Sequence, residues 1–184
     1  VINEDILDVI KYKNFQNKLI VFGNLPYNIS TKILASLILI KKWPPWYDVL
    51  ILMFQKEVAD RIIAKSKTTD YGRLSIISQW KMNIKKIMDI KPNAFFPKPK
   101  IISTLLEFSP KSSFLNINNI KNLELLTKTL FNKRRKMIRN SIYSVIDKND
   151  LMKMKLNINL NFRPQDLNPE EYYILAREIE KLSK

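Results

Sequence analysis

Two short, nearly unbroken apolar runs constrain this chain most: Leu19-Ile20-Val21-Phe22, and the stretch 48–54 whose core is Val49-Leu50-Ile51-Leu52-Met53-Phe54. Runs of that length without polar alternation predict strands buried on both faces of a mostly parallel sheet. Between them, Ser30 is placed to cap a helix running to about Lys41, which completes a strand-helix-strand unit. A hydrophobic content of 46% over 184 residues is enough for a real core.

Beyond this unit, residues 56–64 and 72–83 read as helices, separated by the polar stretch Lys65 to Tyr71. Ile84 to Ile90 and Ile101 to Phe108 read as strands joined by the Pro-rich segment Lys91 to Lys100, and their place late in the chain predicts an antiparallel edge. Pro, Lys, Ser and Asn then break the pattern from Ser109 to Asn119. Residues 120–131, 133–146 and 168–182 show helical spacing, the last opened by Asn168 as cap, Pro169 as first residue and Glu170-Glu171 in the first turn. The expected organisation is an α/β domain over 1–110, a linker over 111–117 and a small all-α domain over 118–184.

Several chemistries are excluded by composition. The absence of cysteine rules out disulfides and thiolate metal sites, and the absence of histidine removes the commonest metal ligand and neutral-pH base, so no metal site is expected. The apolar stretch Ile33 to Ile40 is bounded by Lys32, Lys41 and Lys42 and is far shorter than the roughly 20 residues that span a bilayer, which predicts a soluble, cytoplasmic protein. Val1 stands where a methionine would open a complete chain, so the sequence reads as a fragment. A formal charge of +15 points to a polyanionic partner, nucleic acid first, because clustered Lys and Arg gain affinity by releasing counterions from phosphates. Lysines scattered by compositional drift would give the same total, so position must decide.

Three segments carry candidate chemistry. Asn24-Leu25-Pro26-Tyr27 follows the first strand and offers an amide oxygen, a backbone carbonyl and an aromatic face, a set suited to an amine-bearing base. The same string also reads as a plain turn, with Pro26 fixing φ and Asn24 bonding its own backbone. In Asn93 to Lys100, prolines stiffen a loop after Phe95 and Phe96. Phe95 is expected to form the wall opposite Tyr27, and Phe96 to plug the sheet edge as a core residue. Between Glu124 and Asp147 there is no acidic residue but there are six basic ones, and on a helix Arg135 and Arg139 share a face while Phe131, Ile138 and Ile142 turn inward. Lys133, Arg134, Arg135, Lys136 and Arg139 are the phosphate-binding candidates, with a solvated basic helix as the alternative.

Five strings, in order and at consistent spacing, resemble the bacterial small-subunit ribosomal RNA adenine dimethyltransferases of the KsgA type: Asn24 to Ser30, Phe54 to Arg61, Tyr71 to Ser75, Ala94 to Lys100 and Arg134 to Ser141. The resemblance implies a Rossmann-like S-adenosylmethionine-dependent methyltransferase domain, present as its C-terminal portion only, followed by a helical RNA-binding domain. It further implies dimethylation of two adjacent adenines in a loop near the 3′ end of small-subunit ribosomal RNA, within the immature small subunit, by a monomeric enzyme serving ribosome biogenesis. Residue by residue, Asn24, Leu25, Pro26 and Tyr27 match the catalytic motif and Phe95 the aromatic that closes over the target base. Asp5, with Ile6 beside it, matches the acid that contacts the cofactor's adenine amine, and Asn24 also lies near the cofactor.

The chain departs from that pattern in one large respect. The resemblance implies a Gly-rich loop and an acidic residue that hold the methionine end and the ribose of the cofactor, yet the two glycines present, Gly23 and Gly72, lie in other motifs. The expectation is an N-terminally truncated species that binds S-adenosylmethionine weakly or not at all, is itself inactive, and exposes one face and edge of the Leu19 strand. Lys98 stands where the related loop commonly carries proline. Two other readings are carried. One is the antibiotic-resistance dimethyltransferases of large-subunit ribosomal RNA, whose motif usually has Ile at the position of Leu25. The other is a non-catalytic RNA-binding assembly factor.

Overall fold

A computed structural model describes residues 3–12, 15, 17–154 and 158–182. Contacts group the chain into two compact units, Val1–Ile63 with Lys81–Ser113, and Ala64–Trp80 with Phe114–Lys184. The grouping differs from a division in chain order, because residues 64–80 pack with the helical unit rather than with the sheet.

In the first unit, α1 (Ile6–Tyr12) precedes β1 (Leu19–Asn24), α2 (Ser30–Ile38), β2 (Tyr47–Gln55) and α3 (Lys56–Ile63). The described residues form a four-stranded sheet in the order β1-β2-β4-β3, where β3 is Met82–Ile90 and β4 is Ser103–Pro110. β1 runs parallel to β2, while β4 is antiparallel to both β2 and β3. The apolar run of β2 sits at the centre, with Leu50, Leu52, Met53 and Phe54 all buried. Phe54 meets Phe108 of β4 edge-on at 6.1 Å between ring centroids. Helix α2 buries Ile33, Leu34, Leu37 and Ile38, and the Tyr47 hydroxyl donates to the Leu37 carbonyl at 2.7 Å.

β1 differs from the doubly buried strand its sequence predicts. Its burial alternates along the strand, and Ile20 and Phe22 are 61% and 74% exposed on one face. This is the exposed face and edge also expected of the Leu19 strand: among the described residues β1 is an edge strand, and Ile20 and Phe22 have no packed layer over them. The late antiparallel edge is present as expected, with β3 outermost and largely exposed.

The second unit packs α5 (Ile120–Asn132) and α8 (Pro169–Leu182) around Leu123, Leu126, Leu130, Leu175 and Ala176, all buried. Its α4 (Arg73–Lys81) is held to it by the Tyr173 hydroxyl, which donates to the Ile76 carbonyl at 2.7 Å, and by Trp80 Nε1, which donates to the Leu115 carbonyl at 2.9 Å. Tyr71, Phe131 and Tyr172 form an aromatic cluster with successive centroid separations of 6.2 and 5.9 Å. The start of α8 is as its sequence predicts: the Glu171 N–H donates to Asn168 Oδ1 at 3.0 Å and the Asn168 N–H to Glu171 Oε2 at 2.7 Å, a reciprocal cap.

Residues 133–146 do not form the continuous helix that their spacing predicts. After α5 the chain turns, and α6 is only Arg139–Ile142, followed by α7 (Lys148–Lys153). The Ile138 N–H donates to the Phe162 carbonyl at 2.8 Å and the Arg139 N–H to the Leu160 carbonyl at 3.1 Å. Those donors would have extended the helix, and the segment around 160–162 takes them instead. Arg135 and Arg139 therefore do not share a helical face.

Candidate active site

β1 ends at Asn24, whose register partner on β2 is Met53, and this pairing sets where the next three residues emerge. Gly23 makes the approach possible: a Cβ there would lie 2.7 Å from Leu52 Cδ2 and 3.0 Å from Leu25 Cδ2. Beyond Asn24 the chain turns, with the Ile29 N–H donating to the Pro26 carbonyl at 3.1 Å. Ser30 is the first residue of α2 rather than its cap. The capping position is Ile29, and the Ser30 hydroxyl donates back to the Tyr27 carbonyl at 3.1 Å, so it braces the turn instead of an α2 N–H.

Asn24 is exposed, with its amide available at the strand end. The Tyr27 hydroxyl shares a 2.7 Å hydrogen bond with Ser103 Oγ, which fixes one end of the ring to the first residue of β4. Asn24, Leu25, Pro26, Tyr27 and Met53 line an open groove of about 260 Å³ that is also lined by Phe95, Phe96, Pro97 and Pro99. The sequence-predicted pair Tyr27 and Phe95 thus lies in one groove. Its volume falls just under the roughly 300–1,000 Å³ typical of drug-sized ligands, and the groove is open to solvent.

Phe96 is not a core residue. It is fully exposed, and the reason is local: Phe95 is extended at φ −122 and ψ 149, so successive side chains point to opposite sides. Phe95 turns in and Phe96 out, leaving an uncovered ring at the groove's rim.

Asp5 precedes α1, and its Oδ1 accepts from the Leu7 N–H at 2.8 Å. It therefore caps the helix with one carboxylate oxygen, a use that sequence reasoning did not foresee, and Ile6 is the first residue of that helix, partly exposed. Among the described residues no cluster of three His, Cys, Asp or Glu could hold a metal ion, and no helix is long and apolar enough to cross a membrane.

Of the basic string, Lys133, Arg135, Lys136 and Arg139 are exposed. Arg134 is not equivalent to them. Its Nε donates to Gln165 Oε1 at 3.1 Å and one terminal nitrogen to the carbonyls of Thr68 and Thr69. The string is a turn with one inward member, and nothing in its spacing signals which.

A family model described as ribosomal RNA adenine dimethylase matches residues 1–181. The chain is 51% identical over 182 residues to ribosomal RNA small subunit methyltransferase A of Pelagibacter ubique, an alignment covering 99% of this chain and 70% of that protein. It is 38% identical over 185 residues to the protein of the same name from a Wolbachia of Drosophila simulans, covering 99% and 66%. Among solved structures it is similar to a dimethyladenosine transferase from Plasmodium falciparum, with a TM-score of 0.74 and 25% identity over 94% of this chain and 70% of that one. The 23S rRNA methyltransferase ErmE, at a TM-score of 0.62 and 17% identity, shares the fold. The chain spans about two thirds of the length of these relatives.

Proposed function

The chain belongs to the ribosomal RNA adenine dimethylase family, with the Rossmann-like methyltransferase fold and a following all-α portion, and from that premise we propose that its groove receives an adenine of small-subunit ribosomal RNA for dimethylation at the exocyclic nitrogen. The observation that carries this reading is the groove itself, which gathers an exposed amide and two aromatic rings at one strand end. Tyr27 and Phe95 stack on the two faces of the base, Pro26 stiffens the turn, and the Asn24 side-chain oxygen and the Leu25 carbonyl accept the two N–H bonds of the amine.

An aromatic amine is a weak nucleophile because its lone pair is delocalised into the ring. Two acceptors held at the strand end favour the pyramidal nitrogen in which that pair is available, so the residues act by positioning and the absence of histidine is no obstacle. S-adenosylmethionine supplies the electrophilic methyl group on a sulfonium. Asn24 would hold the reacting end of that donor, and Asp5, beside Ile6, would accept from its adenine amine through the carboxylate oxygen that does not cap α1. These residues fit that half of the donor, and the 184 residues include no glycine-rich loop for the other half.

The target base must leave its stack, at a cost of a few kcal/mol that is smallest in loops. Contacts from Lys133, Arg135, Lys136 and Arg139 to phosphates offset it. The same reading includes the immature small subunit as substrate, a cytoplasmic location and a monomeric protein. Substituting Asn24→Ala in the full-length protein is the test: methyl transfer to immature small subunits should fall at least about 100-fold, while RNA binding remains. Undiminished methylation overturns the assignment, and transfer to large subunits instead would favour the antibiotic-resistance class.

A further inference from the structure

The segment Lys65–Asp70 is polar and almost wholly exposed, and a bland reading would make it a connection without a role. Its backbone argues otherwise. Lys67 has φ 69, the left-handed region that residues bearing a Cβ avoid, and it is the one such non-glycine residue among those described. A conformation of that kind persists when its surroundings over-determine it. Here the Lys67 N–H donates to the Gln165 carbonyl at 2.8 Å, the Thr68 hydroxyl donates to the Lys65 carbonyl at 2.7 Å, and Arg134 grips the carbonyls of Thr68 and Thr69. Arg134 is in turn steadied by Gln165 Oε1.

The Nε–H and one terminal nitrogen of this guanidinium are spent on protein acceptors, which leaves only the other terminal nitrogen for a phosphate. What the tether does is fix the turn that carries Lys65 and Lys67, both exposed, to the residue that lies between Lys133 and Arg135 in the chain. The turn carries one acid, Asp70, at its far end. We infer that Lys65–Thr69 is a second phosphate-contacting element for RNA, pre-shaped by Arg134, which acts as a positioning residue rather than as an RNA ligand. The inference rests on the RNA-modifying reading above. RNA is the partner that the observations favour because the chain carries +15 and the two tethered segments add five cations around a single strut.

The experiment measures binding of the full 184-residue chain to a 3′-terminal fragment of small-subunit ribosomal RNA between about 50 and 200 mM salt. Replacing both Lys65 and Lys67 by Ala should weaken binding about tenfold and reduce the slope of log affinity against log salt by about 1.4, two contacts at about 0.7 each. Arg134→Lys keeps the charge but loses the fork. It should weaken binding as much as Arg134→Gln does, and neither should add to the loss in the Lys65/Lys67 double variant. Near-normal binding by Arg134→Lys, or losses that add, would make Arg134 a direct phosphate ligand and overturn the inference. If the Arg134 variants fail to fold by circular dichroism, the exposed lysine pair decides alone, and an unchanged salt slope there overturns it. A combined Arg135→Ala and Lys136→Ala variant separates the two levels. If it weakens binding while the lysine pair does not, only this inference fails; if none of the variants weakens binding, the RNA reading fails with it.

Discussion

In the sheet unit, Asn24 stands at the end of a strand that runs in unbroken register with β2 from Ile20 to Asn24, and the groove it lines takes its shape from that register and from the β4 residue that holds Tyr27. In the helical unit, Lys133 to Met137 lie in a turn held by a few backbone bonds, such as that from the Lys136 N–H to the Lys133 carbonyl, and by the Arg134 side chain, which ties it to Gln165, Thr68 and Thr69. A register distributes its hold over many backbone bonds that no one substitution removes. A tether concentrates it in one residue. Substitutions that spare the backbone should therefore do little to the groove's geometry unless they hollow the sheet, whereas the basic turn should respond to one exchange.

The largest effect is expected from hollowing the sheet. Leu52 is 1% exposed, is the register partner of Gly23 and lies where a Gly23 side chain would have to go. Leu52→Ala should cost about 2–5 kcal/mol in chemical denaturation, because the neighbours relax only partly around the cavity. Methyl transfer by the full-length protein should fall with it, since Leu52 packs against Gly23, the residue before Asn24. A loss under about 1 kcal/mol would mean that the strand end is held by something other than this packing.

An intermediate effect should come from the side-chain tether of the Tyr27 ring. Ser103→Ala removes the partner of the Tyr27 hydroxyl while leaving the β4 backbone intact. Its expected cost is about 1 kcal/mol, the ordinary net value of a hydrogen bond. The Tyr27 ring then loses one of its restraints but keeps its place at the strand end, so methylation by the full-length protein should fall only a few-fold, against the larger response of RNA binding to Arg134→Lys. A collapse of activity with Ser103→Ala at unchanged stability would erase the contrast, because it would show that the groove too hangs on a single bond.

The same contrast explains what the sequence could show. Apolar runs and caps are local signals, and they located β1, β2, the β3 and β4 pair, α5 and the Asn168 start of α8 to within a few residues. The strings that line the groove are continuous in sequence and sit on those elements, so Asn24 to Tyr27 and Phe95 were legible. Three features were not. Phe96 turns outward because of the extended backbone at Phe95, which composition cannot reveal. Asp5 spends a carboxylate oxygen on the start of α1, and Ser30 spends its hydroxyl on the Tyr27 turn. The helix expected over 133–146 breaks because Leu160 and Phe162 claim the N–H groups of Arg139 and Ile138, and a partner some twenty residues away leaves no mark on helical spacing.

The smallest effect should come from a side-chain strap across a register that already holds. Asp89 of β3 accepts from Lys86 Nζ at 2.8 Å and from the Thr104 hydroxyl at 2.6 Å, across the pair in which Asp89 faces Thr104. The hydrogen bond from Lys86, then that from Thr104, holds its carboxyl below the ordinary value of 3.8. A carboxyl whose folded pKa is depressed adds stability above its unfolded pKa, and that contribution is lost as pH falls through the folded value. Asp89→Asn should therefore lower the melting temperature slightly at neutral pH, and the gap should close as the pH is taken down past 3.8. Because the side chain is exposed and the β3–β4 backbone bonds remain, the effect should stay below that of Ser103→Ala. A gap that is independent of pH would assign the loss to packing, and a gap larger than that of Ser103→Ala would show that the sheet, like the basic turn, leans on an individual side chain.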